Sequence, residues 1–245
     1  SFTADRQDSR LRDDGDIGNI VPGSNVVLTG SLVLGEYQGS ADTGFNMTGG
    51  ILDFDDHGEV NINSRSTGGT ATFNLSGGNF NPGDEKRVSI SAPNGNRGAG
   101  GDAIDLNISG GTMDLDNINI LSVNKIGTGP EATNPVVNWT QTGGSVDFRG
   151  MNLGTRTPAE FGPNAAGIVT ISGGSLYTGS GARTITIGEL GTFHVLGSGA
   201  TEVELTNLTT RSAATLKFTV DAGGLTPISI PSVDGLAGTI DMDTS

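Results

Sequence analysis

The chain of 245 residues contains no cysteine, three lysines, a single tryptophan and no apolar run of eighteen residues. Each shortage removes a class of protein. Without cysteine there is neither a disulfide framework nor a thiolate metal site. Without a long apolar run, no segment reads as a membrane-spanning helix. Lys, Glu, Ala and Leu are too sparse for a helical protein. Thirteen basic against 27 acidic residues leave a net charge of −14. That charge repels phosphate backbones and sets nucleic acid aside as a partner, while favouring solubility and cation association. The opening SFTADRQDSR lacks the basic-then-apolar pattern of a signal peptide. With a composition rich in Gly, Asn and Thr, the expected reading is a secreted or cell-surface chain whose leader has been removed.

Glycine is what the chain has in excess, 41 of 245 residues, beside only nine prolines. Collagen and proline-rich disorder therefore fit poorly, and the accompanying Val, Ile, Thr and Asn favour strands joined by tight turns. Much of the glycine falls in one recurring motif. FNMTGGILDF starts at Phe45, FNLSGGNFNP at Phe73, LNISGGTMDL at Leu106, WTQTGGSVDF at Trp139 and VTISGGSLYT at Val169. The first glycines are Gly49, Gly77, Gly110, Gly143 and Gly173, giving steps of 28, 33, 33 and 30 residues.

Around each Gly-Gly the sequence alternates with period two. Four residues before it stand Phe45, Phe73, Leu106, Trp139 and Val169; two before it, Met47, Leu75, Ile108, Gln141 and Ile171. Three after the first glycine come Leu52, Phe80, Met113, Val146 and Leu176. Alternate strand residues share a face, so these columns are predicted to point inward, with Gln141 the one polar intruder. Asn46, Asn74, Asn107, Thr140 and Thr170 lie between them and should point out. A second strand follows each motif: VNIN from Val60, VSIS from Val88, INIL from Ile118, MNLG from Met151 and ITIG from Ile185.

The fold expected is all-β, a right-handed parallel β-helix with one coil of roughly 28–33 residues per Gly-Gly motif. One repeat has too few inward side chains to offset the entropy of ordering itself, whereas stacked repeats extend a continuous core. Gly-Gly suits a corner that needs φ > 0 and leaves no room for a Cβ. An antiparallel sandwich would explain alternation but not five in-register motifs. Residues 1–16 read as a polar arm, 17–191 as the repeat solenoid and 192–245 as further rungs and a cap. The arm carries Arg6, Arg10 and Arg12 among Asp13, Asp14 and other aspartates, and these five are the candidate assembly residues.

Other motifs are weaker. Asp53, Asp114 and Asp147, with Asn81 in the same column, would stack carboxylates about 4.8 Å apart, where a calcium ion could relieve repulsion. Solvated aspartates are the plainer reading, and the G-G-x-G-x-D calcium repeat is absent. No organic cofactor is implied. N-x-S/T occurs at Asn46, Asn74, Asn107, Asn138 and Asn207, three of them in one repeat column and so in part a by-product of the repeat. His57 and His194 sit in different repeats, and G-x-S-x-G, H-E-x-x-H and P-loop motifs are missing. Acidic residues are too many for any one pair to indicate glycoside hydrolysis.

The T/S-G-G motifs, with LVLG at 32–35, MNLG at 151–154 and ITIG at 185–188, resemble the large secreted repeat proteins of planctomycetes and the passenger-domain repeats of autotransporters. The resemblance covers roughly residues 30–243 and implies a secreted β-solenoid, without naming an activity. The leading expectation is a non-enzymatic extracellular structural protein whose partner is itself, stacked end to end into a filament, sheath or matrix. The second is an adhesin or module binding extracellular polysaccharide through the Gly/Pro/Asn-rich loops 91–102 and 155–167. A polysaccharide lyase or glycosidase comes third.

Overall fold

A computed structural model describes residues 2–4, 9–11, 17–28, 32–34, 42–54, 60–62, 70–81, 87–90, 103–120, 136–155, 166–178 and 184–244. Among them lie twenty strands and no helix. In chain order these are β1 (Phe2–Ala4), β2 (Ser9–Leu11), β3 (Ile17–Ile20), β4 (Asn25–Leu28), β5 (Leu32–Leu34), β6 (Thr43–Phe54), β7 (Val60–Ile62), β8 (Thr70–Asn81), β9 (Arg87–Ile90) and β10 (Ala103–Ile120). They continue with β11 (Val136–Leu153), β12 (Ala166–Thr178), β13 (Ile185–Ile187), β14 (Gly191–Leu196), β15 (Ala200–Glu204), β16 (Leu208–Thr210), β17 (Thr215–Val220), β18 (Ile228–Ser229), β19 (Val233–Leu236) and β20 (Thr239–Thr244).

The ladders between these strands are parallel, and they sort the strands into three stacked faces, which makes the molecule a parallel β-solenoid. The first face runs β3, β6, β8, β10, β11, β12, β14, β17, β20. The second runs β1, β4, β6, β8, β10, β11, β12, β15, β18. The third runs β2, β5, β7, β9, β10, β11, β13, β16, β19. The long strands turn a corner and contribute to more than one face.

Register follows the motif alignment. Phe45 pairs with Phe73, Phe73 with Leu106, Leu106 with Trp139 and Trp139 with Val169. Every residue of the three inward columns is buried, Gln141 included. The apolar ones join one core cluster that runs from Ile20 to Phe218. Because like stacks on like, the Phe45 and Phe73 rings lie 5.3 Å apart and nearly parallel, and Phe80 meets Phe73 edge-on at 5.5 Å.

The Gly-Gly corner explains how two faces can both point inward. Met47 and Leu52 are five positions apart, an odd step that would put them on opposite sides of a straight strand. A change of direction at the glycines restores both to the core. The second glycine of each pair takes positive φ, as at Gly111 (φ +77) and Gly144 (φ +71). The first is excluded from bearing a side chain by its neighbour: a Cβ on Gly143 would run into the carbonyl oxygen of Ser109, one rung below. The expected corner is therefore observed, with its two requirements divided between the two glycines.

The stack continues past the last motif. Val169 pairs with Phe193, Phe193 with Leu216 and Leu216 with Ile240, so the step per coil shortens to 24, 23 and 24 residues. Among the described residues no helix is long and apolar enough to cross a membrane.

Candidate functional site

Three surface features carry chemistry: an amide ladder, an acidic column and the two ends. On the first face, Asn46 Nδ2 donates to Asn19 Oδ1 (3.1 Å), Asn74 Nδ2 to Asn46 Oδ1 (2.8 Å) and Asn107 Nδ2 to Asn74 Oδ1 (2.9 Å). Asn46 and Asn74 each donate towards the N-terminal end and accept from the rung after. The column then passes through Thr140, Thr170, His194 and Lys217 to Asp241. The nitrogens of three N-x-S/T asparagines are thus already engaged. Asn138 Nδ2 donates to Asp105 Oδ1 (2.9 Å), and Asn207 sits in a turn at φ +54. His194 is half-buried in this column with Nε2 2.8 Å from Thr219 Oγ1. Burial, reinforced by Lys217, holds its pKa below the usual imidazole value against the opposing pull of Asp241 and Asp243.

The acidic column lies on the second face. Asp53 pairs with Asn81, and Asp114 with Asp147, which in turn pairs with Tyr177. Asn81 Nδ2 donates to Asp53 Oδ1 (2.9 Å), and the Phe54 amide donates to the same oxygen (3.0 Å). Asp114 and Asp147 are therefore neighbours, whereas Asp53 stands two rungs from Asp114 behind an amide that satisfies it. Among the described residues no three His, Asp or Glu side chains gather closely enough to hold a metal ion. Tyr177 is half-buried on this column, a single ring rather than a stacking platform.

Inside the core, Gln141 Nε2 donates to the Ser175 carbonyl (2.9 Å). Gln141 Oε1 and Trp139 Nε1 have no hydrogen-bond partner among the described residues.

The ends differ from the middle. At the C-terminal end, β20 adds a ninth rung to the first face that extends one coil beyond β18 and β19. Ile240 and Met242 continue the columns of Leu216 and Phe218, yet they are 56% and 60% exposed, with no described residue paired on their far side. Val233 and Leu236 on β19 are exposed as well. Asp241 and Asp243 accompany the apolar pair, with Lys217 Nζ 3.9 Å from Asp243. Among the described residues the first strand of the first face is β3, where Ile17 is 59% exposed, while β1 and β2 pair with β4 and β5 on the other two faces.

Of the candidate assembly residues, Arg10 belongs to β2, which pairs with β5. Arg6, Arg12, Asp13 and Asp14 fall outside the described residues, as do His57, loop 91–102 and most of loop 155–167. Ile240, Met242, Asp241 and Asn19 lie outside the Gly-Gly motifs. The signal was present in FHVL, LKFT and TIDM, spaced by a near-constant step after the glycines stop. No protein-family model, curated protein or solved structure matches the chain.

Proposed function

We propose that this protein is a structural building block, secreted and acidic, that assembles end to end through backbone pairing into a filament, sheath or matrix. The observation that carries this reading is the parallel, in-register stack, whose core columns and backbone ladders repeat from rung to rung. Ile240 and Met242 occupy core columns, and β20 has a ladder partner only on its β17 side among the described residues. An edge strand with free backbone groups and an apolar face is a template for another strand. Soluble proteins normally blunt such edges or use them. Stacking on this end would cover the exposed columns without any further chemistry.

Like-charged subunits of net charge −14 repel one another, so assembly should strengthen as salt screens that repulsion. Sedimentation and negative-stain electron microscopy at rising protein and salt concentration test the reading. Filaments or long oligomers are expected, and Ile240→Lys should abolish them while leaving the strand signature in circular dichroism intact. A species that stays monomeric under all these conditions would overturn it.

A further inference from the structure

The first and second faces of the solenoid differ in charge. Along the five Gly-Gly rungs, the first face turns outward every alternate residue of 44–48, 72–76, 105–109, 138–142 and 168–172. These fifteen positions hold asparagine, threonine and serine with one glycine, one isoleucine and a single charge, Asp105. The Asp105 carboxylate accepts from Asn138 Nδ2 (2.9 Å). Acidic residues stand elsewhere, with Asp53, Asp114 and Asp147 on the second face. A chain of net charge −14 thus keeps one sheet face almost free of charge. We propose that this face is a docking surface for an extended, neutral polysaccharide lying along the solenoid axis, a function separate from end-to-end stacking.

The chemistry of the face selects that occupant. Asn46 and Asn74 are held from both sides by their ladder neighbours. Each spends one N–H and one oxygen lone pair on the ladder and keeps the second of each. Donors and acceptors are therefore fixed in place before a ligand arrives, and less side-chain freedom is lost on binding. Thr140 and Thr170 continue the row with hydroxyls, and Thr48, Ser76, Ser109 and Thr142 form an exposed hydroxyl row beside it. Groups that both donate and accept are matched by other hydroxyls, which are what a neutral glycan presents. Protein interfaces draw on aromatic, Met and Arg side chains, and none stands at these fifteen positions. An anionic polymer is repelled by the net charge, and a cationic one is drawn to the second face instead.

Spacing decides how such a ligand is held. The amide and threonine row stays in register from β6 to β12. Its rungs repeat about every 4.8 Å, so a polymer running along the axis meets the same kind of group at each one. With no ring to stack on, a single sugar gains little. Affinity accumulates along the chain, and the face discriminates by length: long polymers bind and short oligosaccharides do not.

Co-sedimentation of the unmodified chain with insoluble cellulose, chitin and mannan, three neutral polymers, and with cationic chitosan is the test. Retention on at least one neutral polymer is expected, unchanged between low and high salt because no charge takes part. Long soluble fragments of that polymer should release the protein, whereas its trisaccharide at equal sugar concentration should not. Thr140→Arg/Thr170→Arg sets two long charged side chains on the face and should lower retention at least about tenfold, with the strand signature in circular dichroism unchanged. Thr186→Arg on the third face is the matched control and should bind as the unmodified chain does. Salt and chain-length responses are read on the unmodified chain, so they decide the matter even where the paired arginines unfold it. Binding to none of the neutral polymers, binding to chitosan alone, or release by the trisaccharide would overturn the proposal. Equal loss in Thr186→Arg would do the same. Dimers disrupted by the paired arginines, without retention on any polysaccharide, would assign the face to a second copy of the chain and overturn it too. Retention by a chain that forms no filaments would uphold this proposal while the structural reading fails.

Discussion

The Gly-Gly coils between residues 42 and 178 and the coils between 191 and 244 share the same inward columns but turn their corners by different chemistry. In the first region the corner is two glycines nested on the backbone of the neighbouring rung, and one long strand runs through it. In the second, the strands break. Gly197 takes φ +66 between β14 and β15, and one coil later residues 221–224 form a hairpin-like turn. Here side chains are added to close contact: Gly199 still nests on the Ser172 carbonyl, but Ser198 donates to Asp221 through its backbone amide (3.2 Å) and hydroxyl (3.1 Å), and the Gly223 amide donates to Asp221 Oδ1 (2.8 Å). The difference teaches that the stack is specified by the spacing of inward residues. The corner needs only a reversal of side-chain parity, and an absent Cβ or a hydrogen-bonded turn can each supply it.

The comparison breaks most visibly at the glycines. Gly143→Ala drives a Cβ into the Ser109 carbonyl, which cannot move without disturbing the rung below. A loss of about 3 kcal/mol or more is expected in urea unfolding. Gly224→Ala, whose added Cβ would meet nothing within 4 Å, suffers only from φ +104, with an expected loss of about 1–2 kcal/mol. Equal losses would mean that nesting is not what distinguishes the two corners. A smaller effect tests the columns themselves. Gln141 shares its column with Ile108 and Ile171, and further along with Val195 and Phe218. Gln141→Leu removes the buried Oε1 that lacks a partner, and should stabilise the fold by about 1 kcal/mol. A destabilised variant would show that the bond to Ser175 outweighs the desolvated oxygen.

The smallest effect is a pH difference between the regions. The hydrogen bond from the Ser198 amide, opposed by desolvation and joined by those from Gly223, the Ser198 hydroxyl and Gly224, holds the Asp221 carboxyl below its ordinary value. A carboxylate depressed in the folded state stabilises fully above its unfolded pKa, and that contribution disappears as pH falls through the folded value. Amides of β15 and β18 should therefore lose protection from hydrogen exchange below about pH 4, ahead of those around Gly110 and Gly143. Asp221→Asn should remove this difference. Acid sensitivity that persists unchanged in the variant would assign it elsewhere, for instance to Asp42, whose carboxylate accepts from both the Thr70 amide and hydroxyl.

Much of the fold was legible in the chain because parallel stacking in register repeats each environment at each rung. Phe45, Phe73, Leu106, Trp139 and Val169 occupy one column in the sequence alignment and one column in the molecule. The candidate site was less legible. Asp53, Asp114 and Asp147 share a column in both, but Asn81 places an amide between the first and the other two and donates to Asp53. The C-terminal coils carry no punctuating motif, and three steps of 23–24 residues are a weaker signal than five identical glycine pairs.

By itself the sequence determined the inward and outward columns, the Gly-Gly corners and the parallel stack, because all three follow from local alternation and from glycine's conformational freedom. Only the tertiary structure decided which strands make up each face. That β20 stacks on β17 with Ile240 and Met242 in the core columns, and that β12 hands its two halves on to β14 and β15, depends on which strands pair across coils. Pairing is a relation between segments more than twenty residues apart, and no local pattern encodes it.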